Sequence, residues 1–503
     1  MRPHSLETRI LQVDQVDTVV LEPPGGVEPE APFVDGQLGL GDLSPTAVTR
    51  LPRGSFFQDE DFPASSESLG FAEPPELRWR RPGELGVTGP LWTGDTSGRV
   101  RAGDFHDRWL AEAFAIVAQR PRLLDKVFGE PSPPDLRGVA RVRLWRFGRW
   151  ETVVVDDRLP TPHCIGTDGD AEVWPAVLEK AFAKVHGGYA FLAGGDVLHA
   201  LEDLTGGVAQ RLRVHFERPR RVTEDGEAEG AEPEPRPQER ESLYTLVFRP
   251  LVQALRIGAL VSCSPKRGQQ QGESLDISVS TLTDTKLTIR GPQVCVHDDS
   301  GSSAPRWLDL EDFVKTYTNI IVTTLSTGSD KLQVQEVFGF WEAGINAGGS
   351  RNNLEKFAIN PQYSLTINQP EKNEDNRDFG RCSLLLALMQ EHRKSNKDNK
   401  PPVLPIACFI YKADVPEERL SAEYFLCVPE EVATGPFRNK REVAHQAELE
   451  PGNYIVIPAA WSALHQGGFL LRIITLRKIK LTALTPYQPM CAMLPTWVPA
   501  TEI

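Results

Sequence analysis

The spacing of apolar and polar positions in this chain changes from helical to strand-like. Between Ser55 and about Phe216, two stretches carry apolar residues at the spacing of a helix buried on one face. Pro121 ends the first stretch, whose apolar positions are Trp109, Leu110, Ala113, Phe114, Ile116 and Val117. Gly187 and Gly188 close the second, whose apolar positions are Val177, Leu178, Ala181, Phe182 and Val185. The pattern predicts helices around a small antiparallel element, which is an α+β arrangement.

Strand-like patterns lie between these helices and after them. The stretch VARVRLWRFGRWETVVVDDRLP predicts a hairpin whose strands join at Phe147-Gly148-Arg149. After residue 243 the pattern predicts a helix, a strand, a hairpin that turns at Thr283-Asp284-Thr285, and a short helix leading to a further strand. From about Lys331 onward, short strands alternate with loops rich in Pro, Gly and Asn, which is typical of a β-sandwich.

Two segments have compositions that cannot bury enough apolar surface to fold, and the tail 484–503 is rich in Pro. Residues 1–54 are rich in Pro, Gly and acids. Residues 218–242 include eight acids against two arginines from Val222 onward, which predicts an acidic disordered linker.

The net charge argues against one class of function, and the cysteine content indicates a cellular compartment. A formal net charge of −14 and a pI of about 5.3 argue against a general nucleic-acid binder. The sequence has no apolar run near the roughly 18 residues of a membrane span, and its first residues lack the apolar core of a signal peptide. Seven widely spaced cysteines do not indicate a disulfide framework, so we expect a cytoplasmic protein.

Several long motifs, in order, resemble the calpain family. The motifs are SFFQDEDFPASSESL, GRWETVVVDDRLPT, LEKAFAKVHGGY, ALEDLTGG, AGINAGGSRNNLEKFAINPQYSLTI and LEPGNYIVIPAAW. The resemblance implies a papain-like α+β protease core in two halves, followed by an all-β sandwich. The expected domains are an extension 1–54, a first core half 55–217, a linker 218–242, a truncated second half 243–328, a sandwich 329–483 and a tail 484–503.

Calpains are calcium-activated intracellular cysteine endopeptidases, and many of them end in EF-hands. This sequence contains no EF-hand loop pattern, so we expect no dimer formed through EF-hands. The resemblance is therefore to an atypical, shorter member of the family.

The family places its nucleophile in a QGxLGDCW loop, with the cysteine at a helix N-terminus. The segment AGDFHDRW aligns with this loop without a gap, and Gly103, Asp107 and Trp109 match it. Arg108 occupies the cysteine position, and Ala102 occupies the position of the glutamine that stabilises the oxyanion. A guanidinium stays protonated and has no usable lone pair, so Arg108 cannot replace the cysteine.

The other two catalytic positions are also replaced. By resemblance to GHAYSV, the segment SLDISV puts Leu275 at the histidine position. By resemblance to RNPWG, the segment RGPQV puts Gly291 at the asparagine position. The only other local pair on one strand face is Cys295 and His297, which lacks the helix-borne nucleophile of the fold. We expect Cys263 to be buried and inert, and His106 and Cys164 to lie in loops.

Calcium binding is expected to be lost. In the family a loop before the nucleophile supplies carbonyl groups and an aspartate, and here LWTGDTSGRVRAG keeps Gly94 but has Arg99 at the aspartate position. Asp95 lies nearby and could partly compensate. The calcium loop of the second half is absent from the pattern, so no cofactor is expected.

These replacements predict a catalytically inactive calpain-like protein that regulates or scaffolds by binding. The alternative is an active calcium-dependent intracellular cysteine endopeptidase with unrecognised or partner-supplied catalytic residues. We expect protein partners, with calpain substrates and cytoskeletal proteins as candidates, and no nucleic acid. The sandwich, with its basic loop His392 to Lys400, is the candidate surface for weak membrane contact.

Overall fold

The computed structural model describes residues 55–87, 89–94, 99–129, 138–168, 172–212, 243–265, 277, 279–289, 291–298, 304–326, 332–368, 380–391 and 403–484. These residues form two compact units, one up to residue 328 and one from residue 329 onward. The predicted extension, the acidic linker, the basic loop and Leu275 lie outside the described residues.

Helices of the first unit surround a hairpin and cover one sheet. They are α1 (Ser66–Leu69), α2 (Arg108–Ala118), α3 (Pro121–Phe128), α4 (Trp174–His186), α5 (Val197–Thr205), α6 (Arg249–Arg256) and α7 (Leu310–Thr316). Short 3₁₀ turns span Pro82–Leu85 and Tyr189–Leu192, and a π-helical turn, Tyr244–Phe248, leads into α6. Every helix in the described part of the chain falls short of the length and hydropathy needed to cross a bilayer.

The centre of the first unit is the buried face of α2. Leu110, Ala113, Phe114 and Val117 are fully buried, as their helical spacing predicts. The Phe114 ring lies 6.0 Å from that of Phe182 on α4, centroid to centroid. The packing fixes the start of α2, which carries Arg108 at the expected nucleophile position.

Strands of the first unit form one larger sheet and three strand pairs. They are β1 (Arg78–Arg80), β2 (Val100–Arg101), β3 (Val139–Arg146), β4 (Arg149–Asp156), β5 (Leu159–Thr161), β6 (Gly166–Thr167), β7 (Val208–Leu212), β8 (Leu260–Pro265), β9 (Ser280–Thr288), β10 (Gly291–Asp298), β11 (Arg306–Asp309) and β12 (Tyr317–Thr324). The antiparallel sheet has the order β11-β10-β9-β8-β12-β7. The pairs are β1 with β5, β2 with β6 and β3 with β4.

The predicted turn at Thr283-Asp284-Thr285 is wrong. Strand β9 runs through these residues, and the chain reverses between Thr288 and Gly291, which are paired. The register shifts where Cys295 lies opposite Asp284 and the next residue, Val296, lies opposite Leu282, so Thr283 is an extra residue in a bulge. The polar triplet therefore encodes a bulge, and Gly291, with φ of 129°, permits the reversal.

The second unit is a sandwich of two antiparallel sheets. It contains α8 (Leu354–Phe357), α9 (Ala422–Cys427), β13 (Gln333–Trp341), β14 (Tyr363–Ile367), β15 (Cys382–Gln390), β16 (Pro405–Lys412), β17 (Val432–Ala433), β18 (Arg438–Asn439), β19 (Glu442–Leu449), β20 (Gly452–Ala460), β21 (Gly467–Thr475) and β22 (Ile479–Ala483). One sheet has the order β13-β21-β15-β19, and the other has the order β17-β16-β20-β14-β22, with β18 on β16. The fully buried residues Leu386, Leu471, Leu365, Ile410 and Val456 come from both sheets and belong to one core. The expected order of a mixed helix-and-strand unit followed by a β-sandwich is confirmed.

Candidate functional site

The loop that leads into α2 is held tightly against the loop around His163. A Cβ atom on Gly103 would lie 2.3 Å from the carbonyl oxygen of His163, so only glycine fits there. The backbone N–H of Asp104 donates to the same oxygen at 2.8 Å. Ala102, at the expected oxyanion position, is buried, and its methyl side chain cannot donate a hydrogen bond. The loop therefore keeps its shape without that donor.

Arg108 is the first residue of α2, and its side chain is exposed. Asp107 precedes it as the N-cap residue, and its carbonyl accepts from the N–H of Leu110 at 2.7 Å. The N-terminus of a helix stabilises anions such as a thiolate and disfavours a cation. The start of α2 thus carries an exposed guanidinium where the helix N-terminus favours an anion.

The next residue, Trp109, keeps a specific pocket. Its indole N–H donates to the carbonyl of Leu192 at 2.7 Å. A Cβ atom on Gly195 would lie 2.2 Å from the indole ring, so the ring packs directly on that backbone. The contacts that orient the start of α2 are retained on both sides of Arg108.

Two carboxyl groups are buried behind this helix start. Burial raises the pKa of Asp107. Burial, followed by the charge of Asp107, raises the pKa of Glu179 on α4 well above its ordinary value. Glu179 Oε2 also accepts from the N–H of Ile165 at 2.7 Å. The two carboxyl groups therefore tend to keep their protons at pH values where exposed carboxyl groups are ionised. The sequence pattern does not indicate this pair.

Glu112, one turn after Arg108, connects α2 to the six-stranded sheet. Its Oε1 accepts from Ser264 Oγ on β8 at 2.9 Å and from Asn319 Nδ2 on β12 at 3.2 Å. The sequence pattern does not distinguish this residue from other polar helix positions. It joins the segment that carries Arg108 and Ala102 to the sheet that carries Gly291.

The second-half positions predicted from the resemblance are Gly291 and Leu275. Gly291 opens β10 and has no atom within 4 Å of the place where a Cβ atom would lie. Leu275, at the expected histidine position, lies outside the described residues. Cys295 is buried and His297 is half-buried on the same strand. Cys263 is buried as expected, and its thiol donates to the carbonyl of Ser280 at 3.4 Å.

A cleft of about 370 Å³ opens beside the loop before α2. Its lining includes Phe71, Asp104, Phe105, His106, His163 and Ala193. His163 Nδ1 lies 2.8 Å from Asp104 Oδ2, and His106 is exposed with φ of 60°. Cys164 is half-buried and is not among the lining residues. The cleft thus holds an imidazole paired with a carboxylate, and no thiol from the described residues lines it.

The residues at the expected calcium position do not fit a calcium ion. Arg99 is exposed, and its carbonyl accepts from the N–H of Asp168 at 3.0 Å. Arg101 follows two residues later, 3.8 Å from Asp168 Oδ1. Two guanidinium groups here oppose a hard dication that requires oxygen ligands. Among the described residues, which exclude Asp95, no cluster of three or more His, Cys, Asp or Glu side chains could hold a metal.

Comparison with known proteins matches this chain both to calpain domain families and to individual calpains. Residues 57–288 match the family described as calpain family cysteine protease, and residues 337–474 match the one described as calpain large subunit, domain III. Calpain-B of Drosophila melanogaster is 29% identical over 482 residues, which are 86% of this chain and 51% of that protein. The calpain-1 catalytic subunit of Mus musculus is 29% identical over 507 residues, which are 88% of this chain and 69% of that protein.

The chain spans about half the length of the Drosophila calpains that it matches. Among solved structures, the cysteine protease and lectin-like domains of Cwp84 from Clostridium difficile align over 83% of this chain and 82% of that chain. That alignment has 8% identity and a TM-score of 0.17, which is too low to support any argument. Because two successive calpain domain families match, over residues 57–288 and then 337–474, this chain belongs to the calpain family.

Proposed function

We propose that this chain is a catalytically inactive calpain-family protein that acts by binding other proteins. The observation that carries the proposal is the position of Arg108, the exposed first residue of α2. The family has its cysteine at this point, and Gly103 and Trp109 hold the surrounding loop in place. Attack on an amide requires a thiolate or a comparable nucleophile, and a protonated guanidinium has no lone pair to offer.

Replacements at other positions support the same proposal. Ala102 and Gly291 offer no side-chain donor or acceptor where the family has glutamine and asparagine. Arg99 brings a cation to the expected calcium position. Each replacement removes a different requirement of the reaction, so restoring one of them would not restore the others.

In this proposal the first unit is a papain-like core in two halves, of which the second is shortened. The core and the sandwich then serve as binding surfaces, with calpain substrates and cytoskeletal proteins as candidate partners. Weak contact of the sandwich with a membrane surface belongs to the same proposal. The six cysteines among the described residues are all free, which suits a reducing cytoplasm.

A cleavage assay tests whether the chain is catalytically inactive. The purified full chain is incubated with calcium and casein, with and without a thiol-directed covalent inhibitor, beside an active calpain as the positive control. We expect no cleavage and no covalent acyl adduct on this chain. Calcium-dependent cleavage that the inhibitor blocks would contradict the proposal and favour an active endopeptidase.

Proximity labelling tests the binding role. The full chain is fused to a labelling enzyme and expressed in cells, with the labelling enzyme alone as the control. We expect enrichment of calpain substrates or cytoskeletal proteins over the control. Equal labelling by both proteins would contradict a binding role, whatever the cleavage assay gives.

A further inference from the structure

The β3–β4 hairpin carries a dense group of arginines in an acidic chain. Arg141, Arg143 and Arg146 lie on β3, and Arg149 opens β4. Within the described part of the chain, none of the four side chains forms an ion pair or a hydrogen bond. Glu151 is the one acidic residue between Val139 and Val155, so the hairpin is strongly basic while the whole chain has a net charge of −14.

Two of these arginines are placed directly opposite each other. Arg146 pairs with Arg149 across a two-residue turn in which Phe147 has φ of 43° and Gly148 has φ of 82°. Like charges opposite each other on neighbouring strands destabilise a hairpin. Because strand residues alternate between faces, this pair lies on the opposite face of the hairpin from Arg141 and Arg143.

The outward face of the hairpin combines charge with an aromatic ring. Arg143 lies opposite Thr152, and Arg141 lies opposite Val154, so these residues share a face with Trp150 because strand residues alternate between faces. Arg143 is exposed, and Trp150 is 39% exposed. Alternate residues on a strand are spaced by about 7 Å, which is also the spacing of alternate side chains in an extended peptide.

We propose that the β3–β4 hairpin is a docking surface for an acidic, extended segment of a protein partner. An arginine fork binds a carboxylate through two parallel hydrogen bonds, which suits glutamate and aspartate side chains presented in register. Trp150 offers a ring face to the aliphatic parts of the same segment. The inference rests on the proposed binding role and deepens it, because it names the surface and the chemistry of the partner; it does not depend on whether the chain cleaves peptides.

The positive charge is confined to the hairpin, which favours a peptide over a larger anion as the partner. At physiological ionic strength, electrostatic interactions are screened beyond about 8 Å. A peptide that covers only the hairpin therefore meets the arginines and little of the remaining acidic chain. A membrane or a nucleic acid extends much further and would also face the negative surface of a chain with a net charge of −14.

Fluorescence anisotropy of the full chain with a labelled peptide of alternating glutamate and threonine tests the proposal. The control peptide has glutamine in place of glutamate. We expect saturable binding of the glutamate peptide only, weakened by added salt. The double variant Arg141→Gln/Arg143→Gln, which changes the two arginines on the face of Trp150, should weaken binding at least about tenfold, because it removes two charge-assisted contacts.

The matched control variant is Arg80→Gln/Arg122→Gln, which removes two exposed arginines of the same unit from outside the hairpin. It should bind the peptide as the unmodified chain does, and circular dichroism should show that both variants are folded. Equal affinity of both variants, or no binding of the glutamate peptide, would overturn the proposal. Vesicles of phosphatidylcholine and phosphatidylserine that bind through Arg141 and Arg143 when the peptide does not would assign the hairpin to a membrane instead.

Discussion

Glu112 on α2 accepts a hydrogen bond from Ser264 Oγ on β8 at 2.9 Å. The same carboxylate oxygen accepts from Asn319 Nδ2 on β12. Through this one side chain, the helix that begins at Arg108 is connected to two neighbouring strands of the six-stranded sheet. These two hydrogen bonds hold the helix against the sheet, and they involve none of the expected catalytic positions.

Glu112→Ala should lower the free energy of unfolding by about 1–3 kcal/mol, since it leaves two partly buried donors without their acceptor. Glu112→Gln keeps an acceptor oxygen and should cost less. Urea unfolding of the three proteins measures the difference. Equal stability of the alanine variant and the unmodified chain would show that the contact does not stabilise the first unit.

Gly103→Ala should destabilise the first unit by about 1–3 kcal/mol, because its new methyl group would have to displace the backbone around His163. Gly83→Ala is the matched control, since no atom lies within 4 Å of that added Cβ. Thermal unfolding followed by circular dichroism compares the two. An equal change in both variants would contradict the tight packing of the loop before α2.

Arg108→Cys alone should give no protease activity. The new thiol would lie at a helix N-terminus, but Ala102 and Gly291 would still lack the side chains that the reaction needs. Alkylation by iodoacetamide should confirm that the thiol is accessible, and a casein assay with calcium should show no turnover. Measurable turnover in this single variant would show that the assignment of the second-half positions is wrong.

Stability should fall as pH rises through the raised pKa values of Asp107 and Glu179. The folded state keeps protons that the unfolded chain releases above the ordinary carboxyl pKa, so the folded state binds more protons there and loses stability with rising pH. Glu179→Gln keeps a neutral side chain and should flatten this dependence. Unfolding measured from acidic to alkaline pH tests it, and an unchanged slope in the variant would contradict the role of the buried pair.

Asp156 should act in the opposite direction. Burial raises the pKa of its carboxyl group, but the hydrogen bond from Arg158 and the charge of Lys180 outweigh burial and lower the pKa to about 2. Its stabilisation is therefore present above the ordinary value of 3.8 and is lost as pH falls toward about 2. Acid titration of unfolding should show this loss, which Asp156→Asn should remove.

Asp156→Asn should also lower stability at neutral pH by about 3–5 kcal/mol, because it leaves the fully buried Lys180 ammonium without its counter-charge 2.7 Å away. The control is Asp168→Asn, which weakens only the half-exposed pair with Arg101 at 3.8 Å. Similar losses in both variants would contradict the importance of the buried pair.

The elements that the sequence predicts correctly are those with a strongly periodic pattern of apolar residues. Helix α2 and the turn of the β3–β4 hairpin lie where the spacing of Trp109 to Val117 and the Phe147-Gly148 pair put them. The prediction of a hairpin turn at Thr283 was wrong. A polar triplet is compatible with a turn and with a bulge, and a single sequence does not distinguish the two. The assignment of position 108 rests on the ungapped motif that surrounds it, and it stays a prediction.

Glu112 and Glu179 could not be identified from the pattern. Each is a polar residue on a helix whose neighbours are mostly buried, and a helical pattern does not tell which polar residues face another element. Their partners, Ser264 and Asn319 for Glu112 and Ile165 for Glu179, become neighbours only through the tertiary fold.

Strand β7 has a practical consequence for anyone who divides this protein into fragments. It precedes the acidic segment 218–242 in the chain, yet it forms the border of the sheet beside β12, with Ile320 opposite Leu212. A fragment that ends near residue 217 would carry a strand without its neighbour, and a fragment that starts at residue 243 would expose the edge of β12 from Ile320 to Thr324. Both pieces would tend to self-associate when expressed alone, and co-expression should return them to solution.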